Sequence, residues 1–392
     1  MIFNTPEYYI LLLLAAVTFR RASGVAREWT IILSGAAFFV HFSITSVGGI
    51  AGACCLGIFL WEAVFSRLYA KGSSWCIWGV VQALVILFVF KYWNFAVQLV
   101  MPHSRTPEWT WQGAFLPLGI SFFTFEFIHY AVDRHQGRSE RGTFSEYLSF
   151  ILFFPTMVAG PIKRFQDFMV TLRAPSTAVA GDFFQGITRI LAGLAKKLAV
   201  ADVLTALTDH LNAKDVAQAP RWVLLVWLFA YGVKIYADFS AYSDIAIGSA
   251  RLFGLVVKEN FDWPYFQPNI AEFWKHWHIS LYRWLVDYLF IPLGGSRLTV
   301  PLVVRNILLT MLISGLWHGA SLNFVAWGLY NGGLLVGHRL WNMWRGPAEQ
   351  SEPRWRVWLN TLGTYIMVNL GWGLFCMDLP TAMLFFRRVL LG

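Results

Sequence analysis

Length, composition and charge exclude the soluble classes at once. Of 392 residues, 57% are hydrophobic and only 14% charged, with a mean hydropathy of +0.53, too little charge to coat a soluble globule of this size. The formal net charge of +9 does not point to nucleic acid, because the basic residues punctuate connecting segments and form no single patch.

Apolar runs near 7–19, 29–45, 50–66, 76–100, 115–132, 145–160, 183–208, 221–237, 240–257, 302–320, 321–341 and 357–377 approach the ~20 residues a membrane helix needs. They predict an all-α polytopic membrane protein with roughly ten to twelve crossings, several short or broken. Trp75, Trp78, Trp93, Trp109 and Trp111 fall near run ends, where indole rings favour the headgroup zone. Arg20, Arg21 and Arg27 follow the first run, and Lys196-Lys197, Lys163-Arg164 and Arg339/Arg345 mark later breaks. By the positive-inside rule the Arg20–Arg27 loop is cytoplasmic and the N-terminus outside. The opening residues lack the basic region and cleavage site of a secretory leader, so 7–19 reads as a retained span. No linker or internal repeat divides the sequence, which predicts one membrane domain over 1–392.

Cys54, Cys55, Cys76 and Cys376 have no C-x-x-C spacing and no histidine neighbours, so neither a disulfide nor a metal site is expected. Phosphate loops and serine-hydrolase elbows are also missing from the pattern.

Polar segments interrupt the later half of the chain. Tyr236-Ala-Asp-Phe-Ser-Ala-Tyr-Ser-Asp244 lies between two apolar runs. Asp238 and Asp244 are costly there unless paired, so the segment reads either as an interfacial loop or as a cavity wall bearing Asp238, Ser240 and Asp244. In Phe261-Asp-Trp-Pro-Tyr-Phe-Gln-Pro-Asn269, two prolines stop any helix. The helical pattern that follows spaces Trp274, His278 and Tyr282 by four, on one face, with His276 pointing elsewhere. Pro292, Gly294 and Gly295 then end it early. A short helix between such breakers is tolerated at membrane depth only beside a cavity or buried in protein, which places a cavity next to His278. Further on, Met311-Leu-Ile-Ser-Gly-Leu-Trp-His-Gly-Ala320 puts His318 at the end of an apolar run, where an ionisable group must be paired, hydrated or functional.

These segments, in this order, carry a resemblance. Lys91-Tyr-Trp-Asn-Phe95, Leu116-Pro-Leu-Gly-Ile-Ser-Phe-Phe-Thr-Phe125, Ala159-Gly-Pro-Ile162, the 236–244 island, Phe273-Trp-Lys-His-Trp-His-Ile-Ser-Leu281, Tyr288-Leu-Phe-Ile-Pro-Leu-Gly-Gly-Ser-Arg297 and Gly315-Leu-Trp-His-Gly-Ala320 are similar to the membrane-bound O-acyltransferases. The Ile-Pro-Leu-Gly-Gly and Trp-His-Gly-Ala wording resembles the alginate O-acetylation branch more than the D-alanyl-transferring branch of the teichoic-acid pathway. The resemblance implies re-entrant or interfacial helices around a central cavity that joins a cytosolic donor entrance to an extracytoplasmic acceptor side. It implies a catalytic role for His318, a second functional role for His278, and a bacterial inner-membrane location. Trp274, Trp277, Tyr282, Trp317, Asn323 and Arg297 are the further residues expected to line that cavity or bind substrate. No tightly bound cofactor is implied. The donor is an acyl thioester, acetyl-CoA first or an acyl-carrier protein, and the acceptor an extracytoplasmic polysaccharide or a periplasmic acetyl-relay protein. Membrane lipids surround the chain, and no nucleic acid is involved.

The chemistry suits these residues. A neutral sugar hydroxyl is a poor nucleophile until a base takes its proton, and an imidazole near its ordinary pKa is neutral at pH 7. Neutral His318 would deprotonate the hydroxyl, while His278 orients the substrate or shares the proton traffic. Against this stand packed, structural readings of both histidines, and His276, His129, His135 and His338 read as structural, interfacial or solvated. D-alanyl transfer from a carrier protein remains an alternative, as do a polytopic transporter and a scaffold that recruits modifying enzymes.

Overall fold

The prolines, glycines and polar breaks of the sequence cut it into helices, and no strand occurs among the described residues. The computed structural model describes residues 2–47, 49–101, 106–111, 116–174, 180–346 and 353–391. Among the described residues, three helical runs are long and apolar enough to cross a membrane by length and composition: Ser73–Val100, Arg221–Phe253 and Val300–His318. The first passes through a π turn at Phe88–Tyr92.

Two sequence expectations are corrected here. The 145–160 run is not one span: Pro155 and the Gly160-Pro161 pair break it into the short buried helices Phe144–Ile151 and Phe154–Met157, the first started by a Thr143/Glu146 capping box. The runs 221–237 and 240–257 are one helix of 33 residues, Arg221–Phe253. The polar island 236–244 is therefore neither a loop nor a break. Its helical backbone satisfies itself, and only its side chains need partners.

The chain divides into two units, Met1–Leu194 with Tyr242–Glu259, and Ala195–Ala241 with Asn260–Gly392. The first is held by buried rings. Phe38 stacks on Phe154 at 5.3 Å, and Phe59 meets Phe123 edge-on at 4.8 Å, contacts that add to the large area such side chains bury. Among its buried charges, Lys163 pairs with Glu126 at 2.5 Å, and Asp244 with Arg189 at 2.6 Å. Arg20 and Arg27, read above as topogenic, also bond here, Arg20 to the carbonyls of Leu252 and Arg251 and Arg27 to that of Ala174.

In the second unit Val300–His318 and Leu322–Arg345 form a helical hairpin around glycines. A Cβ on Gly315 would overlap the Phe324 carbonyl, and one on Gly328 the Met311 carbonyl. Small residues let the two backbones touch, the contact that holds helices together in lipid. Trp277 and Trp327 build the core against Trp372 of the helix Arg354–Cys376, Trp277 at 4.9 Å and Trp327 stacked at 6.0 Å. Tyr265, which follows the Pro264 break, donates to the Gly232 carbonyl at 2.6 Å and accepts from Trp372 Nε1 at 3.0 Å.

Candidate active site

The breakers around 261–297 do shape a cavity, though not through one continuous helix. Ile270–His276 ends at Trp277, and a new helix, Ile279–Leu285, starts after His278. The expected Trp274/His278/Tyr282 stripe on a single helix is thus corrected. His278 itself is in the left-handed region, φ 44° and ψ 55°, a conformation costly for any residue with a Cβ. Two backbone bonds hold the kink: Ile279 N–H donates to the Asn260 carbonyl at 2.9 Å, and Asp262 N–H to the His276 carbonyl at 3.1 Å. The non-helical stretch at Asn260–Asp262, just before the short 3-10 helix Pro264–Phe266, is what pins the break.

Trp274, Trp277, His278 and Tyr282 nonetheless line one cavity of about 1520 Å³ within the second unit. The Ile307, Thr310, Met311 and Ser314 face of Val300–His318 forms another side, a spacing that puts all four on one stripe. The lining also includes Lys275, His338, Arg339 and Arg345, against a single carboxylate, Glu272, which pairs with Lys275 at 2.7 Å. This side of the cavity is cationic.

His278 is 1% exposed, and its ring touches Phe239 at 4.6 Å and Trp317 at 6.0 Å. Its Nδ1 lies 3.1 Å from Asn260 Oδ1, and its Nε2 is buried without a hydrogen-bond partner. Trp274 Nε1 is a second buried atom without one. Burial first, and then the His318 imidazole, hold the His278 pKa well below its ordinary value, so the ring is neutral at pH 7. His318 closes its own helix, half-buried, its ring 4.9 Å from that of Trp317, 5.2 Å from Trp327 and 5.1 Å from Phe375. Trp317 is the ring that both imidazoles touch. His318 and Trp317 are not among the lining residues of the 1520 Å³ cavity.

The remaining candidates lie elsewhere. Asp238 pairs with Lys197 at 2.8 Å, and Lys197 with Asp202 at 2.5 Å, so Lys197, read above as a loop charge, is a buried partner inside a helical run. Ser240 is buried and bonds the Ala237 carbonyl of its own helix. Asp244 belongs to the first unit with Arg189. Asn323 accepts from Ser321 at 2.5 Å and donates to the Leu374 carbonyl, and Arg297 is exposed. None of these five lines the cavity. His276 bonds the Glu272 carbonyl and faces Asp262 at 3.7 Å, away from His278. Sequence reasoning missed Asn260 altogether. Its nearness to His278 is made by folding, and the only local sign was an Asn just before a proline-rich break.

Comparison with known proteins agrees with the motif order. The sequence profile of the membrane-bound O-acyltransferase family matches residues 36–379. A probable alginate O-acetylase of Pseudomonas aeruginosa is 38% identical over 309 residues, 77% of this chain and 57% of that protein. A peptidoglycan O-acetyltransferase of Helicobacter pylori is 29% identical over 379 residues, 88% of this chain and 70% of the relative. The teichoic acid D-alanyltransferase of Bacillus subtilis is 27% identical over 308 residues, 76% of each chain. The chain spans between 57% and 65% of the length of the alginate relatives. With a family match across most of its length, this chain belongs to the membrane-bound O-acyltransferases.

Proposed function

We propose that the protein transfers an acyl group, acetyl first, from a cytosolic thioester to a hydroxyl of an extracytoplasmic polysaccharide or of a periplasmic relay protein. The observation that carries this reading is a buried, neutral imidazole, His278, a residue that lines a large cavity and whose buried Nε2 has no hydrogen-bond partner, with Trp317 touching both its ring and that of His318. The hydroxyl oxygen forms a bond to the thioester carbonyl carbon, the C–S bond breaks, and the thiolate sulfur receives the proton that the imidazoles took from the hydroxyl. His318 is the base, and His278 orients the substrate or shares the proton. Trp274 Nε1, also without a partner, offers the donor that a hydroxyl or carbonyl oxygen of the substrate needs. Lys275, Arg339 and Arg345 give the cavity a cationic side suited to the phosphates of coenzyme A or of a phosphopantetheine arm.

A polysaccharide acceptor accords with relatives whose names give alginate and peptidoglycan as substrates. The membrane is the bacterial inner membrane, with the N-terminus outside and the Arg20–Arg27 loop in the cytoplasm. Purified protein in nanodiscs, given radiolabelled acetyl-CoA and an O-deacetylated polysaccharide, should form alkali-labile ester label, and His318→Ala should form none. Label from a D-alanyl carrier protein but not from acetyl-CoA would favour the other branch of the family. Substrate uptake by vesicles without ester formation would overturn acyl transfer.

A further inference from the structure

Asn260 is fully buried, and its side-chain oxygen is a point of convergence. Ser280 N–H donates to Oδ1 at 3.1 Å and Ser280 Oγ–H at 2.9 Å, and His278 Nδ1 approaches the same atom at 3.1 Å. A backbone N–H can only donate, so the Asn260 atom it meets must be the oxygen, and the amide orientation is fixed by chemistry. An amide oxygen can only accept. The proton of neutral His278 is therefore on Nδ1, and the lone pair is on Nε2, the atom left without a partner.

We propose that Asn260 is the positioning residue of the site, holding His278 as the Nδ1–H tautomer so that Nε2, whose lone pair has no partner in the fold, is the first acceptor of the hydroxyl proton. This deepens the acyl-transfer reading and rests on it, and it moves the first proton contact from His318 to His278. As the C–O bond forms, the hydroxyl proton goes to Nε2, and from there to the thiolate sulfur released when the C–S bond breaks. The Asn260 carbonyl does a second job, fixing the left-handed kink through Ile279 N–H. One residue thus sets both the direction of the ring and the seat of its proton. In the other tautomer, Nε2–H would face the substrate with a donor and Nδ1 would oppose the Asn260 oxygen with a lone pair.

The groups facing His278 make a pH test clean. His318 is the titratable group that acts on it electrostatically, whereas Phe239, Phe261 and Trp317, which touch its ring from the other elements packed on it, carry no titratable group. Replacing Asn260 by Asp keeps an acceptor at Oδ and adds a negative charge beside the ring, which favours imidazolium. Replacing it by Leu keeps the size and removes the acceptor.

The deciding experiment uses the full chain in nanodiscs with 15N-labelled histidine, His278 being assigned by the signal lost in His278→Gln. Wild type should show Nδ1 protonated and Nε2 bare, and Asn260→Leu should mix or reverse the tautomers. In acyl-transfer assays Asn260→Leu should lose 10- to 100-fold in kcat with KM nearly unchanged. Asn260→Asp should recover most of kcat at high pH while its acidic limb moves to higher pH, a shift that a purely structural role would not produce. A wild-type Nε2–H tautomer, or identical pH profiles for wild type and Asn260→Asp, would overturn the proposal. If Asn260→Leu does not fold, the wild-type tautomer and the Asn260→Asp profile still decide. The nitrogen spectrum needs no turnover, so an Nδ1–H ring in a protein that transfers no acyl group would sink the acyl-transfer reading alone.

Discussion

Two buried histidines, one in each unit, carry the same tautomer and opposite consequences. His129, in the first unit, is 0% exposed and His278, in the second, 1%. His129 Nδ1–H donates to the Phe125 carbonyl, and its Nε2 accepts the Phe165 N–H, both at 3.2 Å. Its imidazole is closed, a bolt between the helix Ile120–His135 and the start of the helix Phe165–Arg173. His278 has the first bond, to Asn260, and lacks the second, and its bare nitrogen belongs to a ring that lines a cavity. Burial alone does not separate a structural histidine from a reactive one. What separates them is whether the last lone pair is already used.

The largest effect that can test this contrast is loss of the proposed base. His318→Ala or His278→Ala should reduce acyl transfer by about 10²–10⁴ while thermal stability in detergent stays near wild type, measured as ester label and by a melting assay on the same preparation. His129→Ala should do the reverse. It strands a buried Phe165 N–H, at about 1–3 kcal/mol, and the folded fraction should retain wild-type kcat. Equal loss of kcat in all three variants would erase the distinction.

Next in size is the buried pair beside His129. Lys163 and Glu126 are each 4% exposed and 2.5 Å apart, with the ammonium 4.4 Å above the Phe150 ring. Breaking such a pair leaves an uncompensated buried charge, so Lys163→Met should cost about 3–5 kcal/mol. The double variant Lys163→Met/Glu126→Leu should recover most of it, as measured by a double-mutant cycle of detergent melting. Because this pair is closed, kcat per folded molecule should not change in either. If the double variant folds well and fails in catalysis, the first unit also holds part of the reaction machinery.

Composition made the membrane class readable, and the order of short motifs made the family readable. The glycines and prolines at 264, 268, 292, 294 and 295 placed the breaks that frame the cavity. The kink at His278 stayed hidden because Trp274, His278 and Tyr282 have helical spacing, and a left-handed residue inside such a pattern has no local signature when it is not glycine. Asn260 stayed hidden for a different reason: it acts across a turn of chain that only backbone pairing with 276–279 brings close. The island at 236–244 misled because carboxylates in an apolar run signal a need for partners, and the sequence does not say whether the partner is a lysine or a substrate. Here Lys197 and Arg189 supply the answer.

Close packing and pH give smaller, directional tests of the second unit. Gly315→Ala or Gly328→Ala pushes a methyl into a facing backbone carbonyl and should cost about 1–3 kcal/mol. It should also lower kcat, since His318 ends the helix that carries Gly315 and that Gly328 packs against. Restored activity at lower temperature would show that the effect comes through packing. For pH, the depressed pKa of His278 keeps the free base available through neutrality. The rate should rise out of the acidic range, reach its plateau below the ordinary histidine pKa, and fall only as pH drops through the folded value. A limb centred at the ordinary value, in a protein that still needs His278, would mean that water reaches the ring freely.

The smallest expected effect concerns Asp238, whose sequence position invited a role in the cavity wall. Its carboxylate is 31% exposed and shares Lys197 with Asp202, so Asp238→Asn leaves the buried ammonium one of its two counter-charges. Partial exposure screens the lost attraction, and the cost should stay within about 1 kcal/mol. Asp202→Asn should behave alike, and the pair of changes together should cost more than their sum, because only then is Lys197 stranded. Acyl transfer per folded molecule should stay within about twofold in each single variant, since the next residue, Phe239, touches His278 through its ring and keeps it. A large fall in kcat for Asp238→Asn at unchanged melting temperature would return Asp238 to the site. The line between closed pairs and open groups would then run inside the Arg221–Phe253 helix, with Asp238 on the open side although its carboxylate already holds a lysine.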